Sequence, residues 1–203
     1  MKPIAVGNSR ELFVDRYLIG TLDNLEHVLH APRDVRENSL DNYGGYVTII
    51  HDEAGYKRYY RSSYGNEEYD GHPGELTCID MSEDGISWES PDLDIYHPVE
   101  GRRNIILMDD PPRSHNFSPF LDENPTADAT ERYKALAGTH KEDNGRPDYV
   151  PPLPDIDSGL YVFTSPDGIH WKKSTDYPVI TFSEFAFDSQ NVSFWSDVEQ
   201  CYV

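Results

Sequence analysis

The 203-residue chain is long enough for one substantial core, and it carries 37 Asp and Glu against 17 Lys and Arg, a formal net charge of −20. This charge repels nucleic-acid phosphates and anionic lipid headgroups, so we expect neither nucleic acid nor a membrane as a partner. The chain as given has no apolar run typical of a signal peptide or a spanning helix, which predicts a soluble protein, cytoplasmic by default.

We predict a lead-in over residues 1–42, with one short strand at 12–19, and a first repeat with its connection over 43–112. In this repeat, strands at 46–50, 57–60 and 76–81 lead to the segment Ser82-Glu83-Asp84-Gly85-Ile86-Ser87-Trp88. Asp-Gly after a strand-like run is a strong signal for a tight hairpin corner, in which Asp binds backbone amides and Gly accepts positive φ.

The same order recurs over 113–186, which we predict to be a second repeat with its connection. Strands at 117–121, 131–136 and 160–164, with an exposed loop at 143–157, lead to Ser165-Pro166-Asp167-Gly168-Ile169-His170-Trp171. This segment lies 83 positions after the first corner and matches five of its seven residues. A third copy begins at 187–203, with a strand at 191–195, and the chain stops within its second strand.

Repeated four-stranded meanders are typical of propeller blades. We therefore predict an all-β fold: a single incomplete domain over 1–203, containing about two and a half blades. The open edge of the third blade would invite self-association. The two cysteines, Cys78 and Cys201, are far apart and fit neither a disulfide framework nor a zinc site.

The corners, together with Leu12-Phe13-Val14-Asp15 and Phe187-Asp188-Ser189-Gln190-Asn191-Val192, resemble five-bladed β-propeller proteins related to glycoside hydrolase families 32 and 43. The likeness covers nearly the whole chain. It implies a funnel at the propeller axis, lined by the first strand of each blade, where carboxylates converge on a sugar. It implies no cofactor, although some relatives hold one axial calcium ion, and we assign no metal ligands.

Glycoside hydrolysis needs two carboxyl groups flanking the scissile bond. Asp41 precedes the first strand of blade one and is our candidate for the nucleophile or base. Asp188 holds the corresponding place in blade three and is our candidate for the acid or transition-state stabiliser. For each, the structural alternative is capping of a turn or strand end.

Polar and aromatic residues near the same strand starts are candidates for binding sugar hydroxyls or stacking on sugar faces. They are Arg113, His115, Asn116, Gln190, Asn191 and Tyr43. Their structural alternative is loop formation or packing between blades. We interpret Asp15, Asp52, Asp122 and Asp197 as scaffold, because the last three recur at one turn of the repeat.

The predicted function is therefore that of a glycoside hydrolase-like protein acting on a carbohydrate substrate. The alternative is a non-catalytic carbohydrate-binding or interaction propeller, which the lack of the Trp-Met-Asn-Asp-Pro and Arg-Asp-Pro motifs of family 32 favours. A third alternative is an inactive truncated fragment.

Overall fold

The structure is a computed structural model that describes residues 3–8, 11–31, 44–65, 71–139, 159–181 and 189–203. The chain divides into two compact units, Met1–Arg36 and Glu37–Val203. In the first unit the described backbone has turns and no strand. The strand predicted at residues 12–19 is therefore wrong: Asp15 accepts a hydrogen bond from the N–H of Tyr17 (2.8 Å), which closes a local turn.

In the second unit, the first sheet contains four antiparallel strands in chain order. They are β1 (Thr48–Asp52), β2 (Gly55–Ser63), β3 (Glu75–Ser82) and β4 (Ile105–Leu107). The predicted strands of the first repeat are confirmed, although β1 begins two residues later than expected. Tyr46 has a φ of 57°, a left-handed conformation that a strand cannot include.

The second sheet repeats this arrangement. Its strands are β5 (Ser118–Leu121), β6 (Tyr133–Thr139), β7 (Gly159–Ser165) and β8 (Lys172–Lys173), again antiparallel and in chain order. A four-residue helix, α1 (Pro111–Ser114), precedes β5, and a 3-10 helix, Ala129–Glu131, lies between β5 and β6. The predicted loop at 143–157 lies outside the described residues.

The third repeat supplies a two-stranded hairpin, β9 (Trp195–Ser196) and β10 (Cys201–Tyr202). The described strands thus form two four-stranded antiparallel meanders and one hairpin, which confirms an all-β fold. Within the same residues, no helix has the length and apolar character needed to cross a lipid bilayer.

The two predicted corners have the same geometry at the same place in their sheets. Asp84 accepts hydrogen bonds from the N–H groups of Ile86 (2.8 Å) and Ser87 (2.7 Å). Asp167 accepts the corresponding bonds in the second corner, from the N–H groups of residues 169 and 170 (both 2.9 Å). The glycines of both corners have positive φ, 73° at Gly85 and 77° at Gly168. Donors around Asp84 lower the pKa of its carboxyl to about 2.

Register defines which residues of the two sheets are equivalent. Tyr56 pairs with Ser82 in the first sheet, and Tyr133 pairs with Ser165 in the second. By the same pairing, three residues of the first sheet correspond to three of the second: Ile50 to Phe120, Tyr59 to Leu136, and Ile79 to Val162.

The main core lies between the two sheets. Ile50, Tyr59 and Ile79 of the first sheet are buried against the aromatic side chains Tyr161 and Phe163 of β7. Trp171 of the second corner packs against this core as well. Its ring makes an edge contact with Phe117 (4.8 Å between centroids), and its indole N–H donates to the carbonyl of Gly168 (2.9 Å). Burial of these large side chains is the main driving force for packing one sheet on the next.

A polar contact repeats at the edge of successive sheets. The carboxylate of Asp52 accepts hydrogen bonds from Lys57 of its own sheet and from Tyr133 of the second sheet. The carboxylate of Asp122 likewise accepts from Lys134 of its own sheet and from Tyr202 of the hairpin (2.8 Å). We call each set an Asp–Lys–Tyr junction.

The junctions hold both carboxylates ionised. Burial raises the pKa of Asp52, but the hydrogen bonds from Lys57 and Tyr133 outweigh it and keep the pKa below its ordinary value. The same balance lowers the pKa of Asp122, where Lys134 is the strongest donor. Each sheet is thus joined to the next by the same charge-assisted contact.

The opposite face of the first sheet is covered by the connection between β3 and β4. Arg58 and Asp80 form a buried ion pair (2.5 Å), and the other oxygen of Asp80 accepts from Ser90 (2.7 Å) and Asn104 (2.9 Å). Hydrogen bonding of this kind offsets the cost of burying the pair.

Candidate functional site

The first strand of each repeat is preceded by a residue in the left-handed conformation. These residues are Tyr46 (φ 57°), Asn116 (φ 52°) and Ser189 (φ 62°). Non-glycine residues adopt this conformation rarely. Tyr46 and Asn116 both lie two positions before their strand, so these two entries share a geometry, whereas Ser189 lies six positions before β9. In the first repeat, Gly44 makes the entry sterically feasible, because a Cβ there would overlap the backbone carbonyl of Arg61.

One side chain joins the three entries. The amide nitrogen of Gln190 donates to the carbonyl of Tyr46 (3.1 Å), the hydroxyl of Thr48 (3.0 Å) and the carbonyl of Phe117 (3.3 Å). Gln190 belongs to the third repeat and its acceptors to the first two. Residues of all three repeats therefore meet at this point of the described structure, and we call it the strand-entry cluster: Tyr46, Arg61, Asn116 and Gln190.

Hydrogen bonding fixes the orientation of both amides in the cluster. The guanidinium of Arg61 donates to the side-chain oxygen of Asn116 (2.8 Å) and lies over the Tyr46 ring, 4.4 Å from its centroid. The amide nitrogen of Asn116 therefore points away from Arg61, with no hydrogen-bond acceptor among the described residues. Because Gln190 donates through its nitrogen to carbonyl groups, its side-chain oxygen is left as an acceptor. The Asn116 side chain thus offers a donor at the entry of β5, and Gln190, which binds the carbonyl of the next residue, Phe117, offers an acceptor.

His115, the neighbour of Asn116, points into the protein instead. Its ring is 2% exposed, and its Nδ1 lies 3.0 and 2.9 Å from the two carboxylate oxygens of Glu75. Glu75 also accepts from the backbone N–H of Gly71 (3.1 Å). The sequence analysis does not identify Glu75. The signal for it is a charged residue directly before the uncharged, strand-like run Leu76-Thr77-Cys78-Ile79.

Arg113 and Asn191 have local partners. Arg113, in α1, forms an ion pair with Asp110 (2.6 Å), and its guanidinium lies 5.8 Å from the centre of the Tyr161 ring. Asn191 is half-buried, and its amide nitrogen lies 3.5 Å from the carbonyl of Ser189. Of the predicted sugar-binding residues, Asn116 and Gln190 therefore meet in the strand-entry cluster, whereas Arg113 packs beside Asp110.

Three predicted site residues, Asp41, Tyr43 and Asp188, lie outside the described residues. Asp188 directly precedes Ser189, and Asp41 lies five positions before Tyr46. Within the described ranges, no group of three or more His, Cys, Asp or Glu side chains is arranged to hold a metal ion.

Comparison of the chain with known proteins adds no relative. No family model, curated protein or solved structure matches it.

Proposed function

We propose that the chain is a carbohydrate-active protein of the glycoside hydrolase type, built from successive blades of a five-bladed propeller. The repeated chain order, corners and Asp–Lys–Tyr junctions support the blade arrangement, because each repeat contacts the next in the same way. The single incomplete domain over 1–203, with blades at 43–112, 113–186 and 187–203, belongs to this proposal.

The observation that carries the function is the bridge made by Gln190 between the three strand entries. Asp188 is two positions from Gln190, and Asp41 is five positions from Tyr46, whose carbonyl Gln190 binds. Both proposed catalytic carboxylates are therefore tied by short chain segments to one cluster. Convergence of two carboxyl groups on one sugar is what glycoside hydrolysis requires.

In the proposed reaction, one carboxyl group, assigned to Asp188, donates its proton to the leaving glycosidic oxygen as the bond to the anomeric carbon breaks. The carboxylate of Asp41 either attacks the anomeric carbon or deprotonates the attacking water. Water supplies the hydroxyl group of the released sugar and restores the proton. Asn116 would donate to one sugar hydroxyl and Gln190 would accept from another.

The test is substitution of Asp41→Asn and Asp188→Asn, each assayed against a panel of chromogenic β- and α-glycosides of pentoses and hexoses. We expect kcat to fall at least about 10²-fold in each variant, because each loses a group that acts in the transition state. Asp197→Asn, at an exposed hairpin turn, is the control and should retain activity.

Three outcomes separate the alternatives. Wild-type activity that survives in both variants would remove the site proposal. Saturable sugar binding without turnover by the wild-type chain would instead support a non-catalytic carbohydrate-binding protein. If the wild-type chain has an intact circular dichroism spectrum but shows no sugar binding and no turnover, the proposed carbohydrate function is wrong.

A further inference from the structure

A buried carboxylate–imidazole pair adjoins the strand-entry cluster and has no part in the proposed reaction. Glu75 is the first residue of β3, and His115 directly precedes Asn116 in the chain. Glu75 is 5% exposed and His115 is 2% exposed, and Nδ1 of His115 lies 3.0 and 2.9 Å from the two carboxylate oxygens. Burial of a carboxylate is costly unless it is hydrogen-bonded, so the partners of Glu75 fix its geometry.

The partners of Glu75 also determine which nitrogen of His115 carries a proton. Glu75 accepts from the backbone N–H of Gly71 (3.1 Å), so its oxygens act as acceptors. A carboxylate only accepts hydrogen bonds, and Nδ1 of His115 must therefore donate. His72, in the loop before β3, has the opposite arrangement: its Nδ1 accepts from the backbone N–H of Gly74 (3.0 Å). This bond closes the loop that presents Gly71 to Glu75.

The backbone of His115 is held as firmly as its side chain. Its carbonyl accepts from the N–H of Gly138 near the end of β6 (2.9 Å), so β3 binds the imidazole while β6 binds the main chain. The next residue, Asn116, has a φ of 52°, a conformation that costs free energy and persists where the surrounding structure imposes it. The bonds of His115 impose it from one side, and Arg61 holds the Asn116 side chain from the other.

The direction of the Asn116 amide depends on these contacts. The residue is 4% exposed and Arg61 binds its side-chain oxygen, so the amide nitrogen is the group that it offers to a ligand. Small displacements of a positioned binding group weaken its interactions strongly. Glu75 is thus connected, through His115, to the donor that the proposed function assigns to a sugar hydroxyl.

We propose that Glu75 is a positioning residue, which orients Asn116 by holding the imidazole of His115 through its Nδ1–H. Glu75 touches no substrate; it fixes the direction of the amide that does. The effect on sugar binding rests on the proposed function, whereas the orientation of Asn116 does not.

The orientation is tested without a sugar, by NMR of the ¹⁵N-labelled 203-residue chain. The wild type should show a proton on Nδ1 of His115. In Glu75→Gln an NH₂ group replaces one of the two acceptor oxygens, so a donor faces either Nδ1–H or the N–H of Gly71. We expect the side-chain amide signal of Asn116, assigned by its loss in Asn116→Ala, to shift in Glu75→Gln.

Asp80→Asn is the matched control, because it makes the same change at another buried carboxylate of β3. Asp80 binds Ser90 and Asn104 of the connection to β4, so the Asn116 signal should keep its wild-type position. His115→Asn is a second variant, whose side-chain N–H can replace Nδ1–H as the donor to Glu75. It should shift the Asn116 signal less than His115→Ala does.

The effect on sugar binding is measured with a glycoside that the wild type cleaves. Glu75→Gln should raise KM at least about fivefold and change kcat less than about twofold, because a binding amide is displaced while the proposed catalytic carboxyl groups are kept. The double variant Glu75→Gln/Asn116→Ala should have the KM of Asn116→Ala, since Glu75 acts through Asn116.

Two NMR results would overturn the proposal whether or not the chain cleaves glycosides: Nδ1 of His115 without a proton, or an Asn116 signal that Glu75→Gln and Asp80→Asn affect equally. Additive effects of Glu75→Gln and Asn116→Ala on KM would overturn it as well. If Glu75→Gln does not fold, equal shifts of the Asn116 signal in His115→Asn and His115→Ala have the same meaning. If the signal shifts as expected but the wild type neither binds nor cleaves a sugar, the positioning of Asn116 stands and the proposed function is wrong.

Discussion

The hydroxyl of Tyr133 connects two sheets through one atom. It donates to the Asp52 carboxylate, which also accepts from Lys57, and all three side chains lie at the contact between the sheets. A hydrogen bond to a charged group contributes more to folding stability than a hydrogen bond between neutral groups does. Loss of the donor would also leave a buried carboxylate with one partner fewer. Burial raises the pKa of Tyr133, and so does its bond to Asp52, so the phenol stays protonated as a donor.

We predict that Tyr133→Phe lowers the free energy of unfolding by about 1–3 kcal/mol. It should also raise the pKa of Asp52 toward its ordinary value. A depressed carboxyl pKa contributes stability above the unfolded value of about 4, and this contribution is lost as the pH falls through the folded value. Acid unfolding of the variant should therefore begin at a higher pH. Urea unfolding at pH 7 and a pH titration measure the two effects.

Tyr56→Phe is the matched control for this prediction. Tyr56 holds the equivalent register position in the first sheet, and its hydroxyl makes no hydrogen bond within the described residues. Equal destabilisation by the two substitutions would contradict a specific role for the Tyr133 hydroxyl.

At the scale of the strands, equivalent residues differ in how fully the next element covers them. Ile79 in β3 is completely buried between the sheets, whereas Val162 in β7 is half-buried and lines an open apolar groove on the outer face of the second sheet. The cost of removing apolar atoms depends on how much packing they lose, rather than on their position in the repeat.

We predict that Ile79→Ala destabilises the protein by about 2–5 kcal/mol, and that Val162→Ala costs about 1 kcal/mol or less. Chemical denaturation of both variants under the same conditions measures the difference. A similar loss at the two positions would mean that the groove is as well packed as the core between the sheets.

Sequence reasoning predicted the strands and corners because those signals are local. The residues from Ser82 to Trp88 contain the donors and acceptors of the first corner, so a second corner at Ser165 can be recognised from the sequence alone. The prediction is wrong at residues 12–19, where the apolar run forms a turn that begins at Asp15. It is also wrong at 191–194, because the strand expected at 191–195 begins only at Trp195.

Contacts between the sheets cannot be predicted from local sequence motifs. The repeat predicts Asp52 and Asp122 as turn residues. Each does bind a backbone N–H of its turn, but each also accepts from a tyrosine about 80 positions away. The pairing of His115 with Glu75 depends equally on how β3 and the entry of β5 meet. Such partners follow from the angle between sheets, which no short motif encodes.

At the scale of the whole molecule, the net charge of −20 is the dominant electrostatic feature. Most carboxylates repel one another through solvent, and salt screens this repulsion. The junction carboxylates differ, because they are buried against lysine partners and are screened much less.

We predict that raising NaCl from about 10 to 150 mM, which shortens the Debye length from about 30 to 8 Å, increases Tm by about 2–5 °C. Differential scanning fluorimetry at pH 7 measures the shift, and KCl should have the same effect as NaCl. A Tm that falls with salt would show that attractive surface pairs outweigh the repulsion.

The Gln190 bridge can form only after most of the chain has been synthesised. Its acceptors on the first repeat lie more than 140 positions earlier in the chain, so they emerge from the ribosome well before their donor. The first two meanders can hydrogen-bond their own strands as they appear, but their entries are joined only when Gln190 arrives. The proposed sugar-binding amides are thus assembled last, after the framework that orients them.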